Sequence, residues 1–153
     1  MPLFVHELLT NIVLDFPCCQ LEAPLFKYIA IDRYQFGTTS NAVSIGNVST
    51  SRSSWSGTCD KAYGYMAGGH PTVNTIDRFA FGSSSNSADV GDLTRATNNG
   101  GQVSSSTSGY FQGGWATSDI IQKYAHASSG NASNVAVTSR RKDASASFHV
   151  PEA

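Results

Sequence analysis

The side chains best suited to acid–base, nucleophilic or metal chemistry are His6, His70, His126, His149, Cys18, Cys19 and Cys59. No two histidines stand at metal-ligand spacing, and the adjacent Cys18 and Cys19 have no CxxC partner or nearby histidine pair. Three cysteines, two of them adjacent, do not make a disulfide framework. The chain holds no GxSxG elbow, Walker loop or HExxH helix. Ser139-Arg140-Arg141-Lys142 has SxxK spacing without its companion motifs. Asp89 and Asp92 flank Gly91 and offer a carboxylate pair to calcium, but such a pair on a turn more often is solvated or caps the backbone. These residues point away from an enzyme, and no metal or cofactor is expected.

Recognition has better candidates. Trp115 directly follows Gly113-Gly114, and His70 directly follows Gly68-Gly69. An exposed tryptophan in such a loop can stack on a sugar or anchor a peptide; the alternative is a ring folded onto neighbouring structure. Arg52, Arg95 and Arg140 fall in or near a second set of loops. Together with Trp115 and His70 they would form a polar-aromatic surface for a protein or glycan ligand. With a net charge of −1, bulk electrostatic attachment to nucleic acid or anionic lipid is not expected.

The elements that position these residues follow from composition and repetition. Among 153 residues, serine and threonine number 34 and glycine 14, a mixture that does not build helices. The chain is 40% hydrophobic and 14% charged, unlike a disordered segment. An all-β fold with many tight turns remains. Ile31-Asp32-Arg33-Tyr34-Gln35-Phe36-Gly37 returns as Ile76-Asp77-Arg78-Phe79-Ala80-Phe81-Gly82, a shift of 45 positions. Gly64-Tyr65 and Gly68-Gly69 return in the same register as Gly109-Tyr110 and Gly113-Gly114. A third copy keeps it at Ile121, Tyr124, Asn131, Val135 and Arg140. Such repetition marks a stacked repeat architecture.

Within one unit the pattern is strand-like. Tyr63–Ala67 is a short apolar run closed by glycines that permit positive φ. On a period of 2, Ile76, Arg78 and Ala80 face one way and Asp77, Phe79 and Phe81 the other, so this strand is expected to be covered on both faces. Asp89–Thr94 and Gly101–Thr107 read as the third and fourth strands of the unit. Arg33 and Arg78, beside Asp32 and Asp77, read as ties between neighbouring units, with ligand binding as the minority role.

A double glycine, a loop, then Asn-x-hydrophobic-acidic-Arg-aromatic resembles the kelch repeat, a four-stranded propeller blade. Gly68, Gly69, Asn74, Ile76, Asp77, Arg78 and Phe79 carry the resemblance, and Gly113, Gly114, Asp119, Ile121, Lys123 and Tyr124 repeat it less fully. Val90 and Val135 stand where the kelch tryptophan is expected. The resemblance implies a partial β-propeller of about three four-stranded antiparallel blades over residues 28–153, similar to arrays in large microbial and phage proteins. It implies a non-catalytic module for protein or glycan recognition, possible in a virion or surface protein. The alternatives are a remnant of a carbohydrate-active propeller, galactose-oxidase-like or sialidase-like, and a purely structural spacer.

Residues 1–27 depart from the repeat and hold six of the seven leucines. Phe4, Val5, Leu8, Leu9, Ile12 and Val13 fit a short amphipathic helix, either a cap over the open end of the array or an unrelated extension. No signal peptide or membrane-spanning run is recognised. Because propellers close with about 4–8 blades, fewer than three units should pair with a second copy or belong to a longer polypeptide.

Overall fold

The computed structural model describes residues 10–13, 29–35, 37, 39–115 and 118–142. They form antiparallel β-sheets, with no helix among them. The first sheet, in order β1-β2-β3, comprises Thr10–Val13, Ala30–Gln35 and Val43–Asn47. The second, β4-β5-β6-β7, comprises Ser56–Cys59, Tyr63–Ala67, Val73–Ala80 and Ala88–Thr97. The third is ordered β11-β10-β9-β8 and comprises Gly101–Ser104 (β8), Ser108–Gln112 (β9), Ser118–Ala125 (β10) and Ser133–Lys142 (β11). All four strands of the second sheet start 45 residues before their counterparts in the third. The sequence period is therefore the period of the sheets.

Two readings need correction. The strand beginning at Gly101 is not the fourth of the unit that starts at Tyr63, because β8 pairs with β9 and opens the next sheet. The sheet unit starts one strand earlier, at Ser56, and ends at Thr97. The apolar pattern at the N-terminus does not give a helix at its described part, since Thr10–Val13 is a strand antiparallel to β2. Thr10 pairs with Gln35 and Val13 with Asp32, just as Tyr63 pairs with Ala80 and Met66 with Asp77. Thus β1 takes the place of β5 in the first sheet, although it lies outside the 45-residue register. The rest of the expected helix falls outside the described residues.

Apolar residues on alternate faces fasten the sheets together. Ile31 and Ile45 of the first sheet pack with Met66 and Phe79 of the second, joined by Val48, Trp55 and Phe81. Tyr65, Ile76, Val90 and Leu93 of the second pack with Phe111, Tyr124 and Ala132 from the third sheet and the loop before β11. Ile76 and Phe79 thus serve opposite clusters, and β6 is covered on both faces as its alternation predicts. Each fully buried side chain of this size contributes roughly 1.5–3 kcal/mol.

Backbone contacts between sheets also repeat. The Asn86 side chain accepts from Asn47 N–H at 3.0 Å, and the Asn131 side chain accepts from Asp92 N–H at 3.0 Å. Ser87 N–H donates to the Asn47 carbonyl at 2.8 Å, and Ala132 N–H to the Asp92 carbonyl at 2.7 Å. Beside these bonds the chains approach closely enough that a Cβ at Gly46 or Gly91 would collide with the carbonyl of Ser85 or Gly130. Among the described residues no helix is long and apolar enough to cross a membrane.

Candidate functional site

Of the repeated Asp-Arg pairs, Arg33 and Asp77 tie the first sheet to the second. Arg33 donates to the Phe81 carbonyl at 3.1 Å, tying the first sheet to the second. Arg78 lies over the Tyr63 ring, 4.7 Å from its centroid. Asp77 is fully buried and pairs with Arg52 at 2.7 Å, both side chains having 0% exposure. The same Asp77 oxygen accepts Ser49 N–H at 3.2 Å. Gln122, 45 residues on, accepts Thr94 N–H at 2.6 Å, so both residues hold backbone N–H groups on the side of the preceding sheet. Arg52 is accordingly an interior residue and not part of a solvent-facing ring. Burial lowers its pKa, opposed by the charges of Asp77 and then Asp89.

Arg95 and Trp115 do come together. Gly113 and Gly114 take φ of 70° and 101°, values that favour glycine, and turn the chain out of β9. Trp115 N–H then donates to the Asn98 carbonyl at 2.8 Å, and the Arg95 guanidinium donates to the Trp115 carbonyl at 3.0 Å. This brace leaves Trp115 61% exposed, so the residue is not buried against the described neighbouring sheets. Gly68 and Gly69 are likewise at positive φ, with φ of 67° and 130°, and lead to His70, which is exposed and pairs through its backbone with Ser53. Arg140 is exposed on β11. Of the five sequence candidates, the structure joins Arg95 to Trp115 by a bond, exposes His70 and Arg140, and takes Arg52 inside.

The other end of these strands carries a cluster that the sequence reading missed. Asp60 accepts the N–H groups of Ala62 and Tyr63, both at 2.7 Å, and makes the β4–β5 turn. Ser105 makes the corresponding β8–β9 turn by accepting from Thr107 and Ser108 N–H. Tyr65 Oη lies 3.0 Å from both Asp60 Oδ2 and the His126 carbonyl, sharing one proton between them. The His126 ring stacks on Tyr65 with centroids 4.6 Å apart, and its Nδ1 lies 4.0 Å from Asp60. Cys59, Lys61, Arg78, Ser104 and Thr107 help line the open cleft of about 850 Å³ beside them.

Burial and hydrogen bonding together set the protonation of this cluster. It pushes Tyr65 up to about 12, helped by the bond to Asp60. It also raises Cys59, with Asp60 adding to the effect, so this thiol is disfavoured as a thiolate nucleophile. Burial lowers His126, partly offset by Asp60. Burial would raise Asp60, but the N–H groups of Ala62 and Tyr63, the Tyr65 hydroxyl and His126 outweigh it and hold the carboxyl below its ordinary value. The result is an imidazole held toward its neutral form beside a carboxylate held toward its ionised form and already well supplied with donors. The sequence signal was a departure from the repeat: His126 stands 45 residues after Phe81, where a core aromatic belongs. In comparisons with known proteins, no family model and no curated protein matches the chain.

Proposed function

We propose that the chain is a non-catalytic, kelch-like β-propeller segment that recognises a protein or glycan through the loops bearing Trp115 and His70. The observation that carries this reading is the exposed indole of Trp115, braced through its own carbonyl by Arg95. A large aromatic held on a fixed backbone loses little freedom on binding and supplies much contact area. A sugar face would stack on the indole, and the exposed His70 would supply polar contacts at the second loop. The propeller reading draws on the 45-residue recurrence of strand starts and on residues stacked between sheets.

The test is a glycan and peptide array probed with the natural chain and with Trp115→Ala. The expected result is a restricted set of ligands lost with the indole and weakened by Arg95→Ala. Ligands that survive Trp115→Ala undiminished would place recognition elsewhere. Turnover of an array substrate would favour the carbohydrate-active alternative, with Asp60 and His126 as the groups to vary first.

A further inference from the structure

We infer that a second copy of this chain covers the face of the third sheet that no described residue covers, using the matching face of its own first sheet. Two copies joined in this way at both ends would close a ring of six sheets. The inference goes beyond the recognition reading and rests on the repeat register alone. Within the chain, the outward face of the second sheet presents Tyr65, Ile76 and Val90, and Phe111, Tyr124 and Ala132 cover it. The third sheet presents Tyr110, Ile121 and Val135 at the same register positions. There Tyr110 and Ile121 are only half-buried, and Val135 is 49% exposed.

The first sheet carries counterparts of the covering residues. In register, Tyr34 corresponds to Tyr124 and Ala42 to Ala132. Asn41 corresponds to Asn86 and Asn131, whose side chains accept backbone N–H groups of the preceding sheet. No preceding sheet meets Asn41 among the described residues, and both Asn41 and Ala42 are exposed. The residue that would donate to Asn41 is Val137, in the place of Asn47 and Asp92.

Charge matches as well. Asp77 meets Arg52, which follows the preceding sheet. At the next joint the same register positions are the neutral Thr97 and Gln122, and no charge is buried there. Across two copies the register would set an acidic position, 32, against a basic one, 142. One feature makes this joint looser than those within a chain. Ala136 stands where Gly46 and Gly91 allow the neighbouring backbone to approach. The association is therefore reversible, and Ala136→Gly should tighten it.

Sedimentation equilibrium tests the inference. The natural chain should approach the mass of two copies with rising concentration and go no further. Asp32→Lys and Lys142→Asp should each weaken association about tenfold or more by placing like charges together. Mixing the two variants should restore a dimer, because each joint then holds one lysine and one aspartate. The mixture also guards against misfolding, since a variant that fails to fold cannot be rescued by its partner. A chain that stays monomeric, as one completed by further repeats of a longer polypeptide would, overturns the inference. So do growth beyond two copies, dimers indifferent to both reversals, and a mixture that fails to associate.

Discussion

Gly91 packs against the carbonyl of Gly130 so closely that a Cβ at position 91 would collide with it. Gly91 also takes a φ of 154°, outside the range that side chains favour. Gly91→Ala therefore adds backbone strain to overpacking and should cost about 2–5 kcal/mol. Gly82→Ala is the control, because a Cβ there meets nothing within 4 Å. Urea denaturation of the two variants should differ by most of that amount. Equal midpoints would mean that the sheets separate easily enough to admit a methyl group.

Arg52 and Asp77 form a fully buried ion pair, so removing one partner leaves the other's charge without compensation. Asp77→Ala alone should cost about 3–5 kcal/mol. The neighbouring sheet supplies a neutral version of the same positions, Thr97 and Gln122. The double variant Arg52→Thr with Asp77→Gln should therefore lose less stability than Asp77→Gln alone. A double-mutant cycle measures the coupling; strictly additive costs would remove the pair from the account of how the first sheet meets the second.

Asp77 shows how far the sequence could be read. Its strand was legible because Ile76, Asp77 and Arg78 repeat Ile31, Asp32 and Arg33, and strand faces follow from alternation. Its partner was not. Arg52 has no charged counterpart at position 97, and the register could not show that it turns inward. The N-terminal strand failed for another reason. Thr10–Val13 is four residues long, too short to separate a period of 2 from one of 3.6, and the apolar residues around it fit the latter. Trp115 was legible as a loop residue after the double glycine, but its brace by Arg95 depends on a carbonyl that no side-chain pattern reveals.

That brace separates binding from stability at Trp115. The indole is largely solvent-exposed, so Trp115→Ala should change unfolding free energy by no more than about 0.5 kcal/mol. If the indole anchors the ligand, the same change should weaken binding by about 2 kcal/mol or more, roughly thirtyfold. Calorimetric titration with an array-selected ligand, alongside thermal melts, checks both halves. A large drop in melting temperature with unchanged affinity would make Trp115 a structural residue.

His126 should impose a pH dependence on stability. Burial lowers its folded pKa from the ordinary 6.5, only partly offset by Asp60. As pH falls below about 6.5 the unfolded chain takes up a proton that the folded chain refuses, so the unfolded state gains. The stability contributed by this site is full above that pH, falls with decreasing pH, and levels off below the folded pKa. Asp60 does not obscure the effect, since its own pKa is held below 3.8 and its carboxyl stays ionised through this window. His126→Phe places there the residue found at the equivalent position 81 and removes the titration. Melting temperatures from pH 7.5 to 5 should fall for the natural chain and fall less for the variant. The variant should be the more stable of the two at pH 5, because it buries no ring nitrogen that lacks a partner. Parallel curves would show that His126 opens to solvent as readily as it ionises, and that the stack on Tyr65 does not hold it inside.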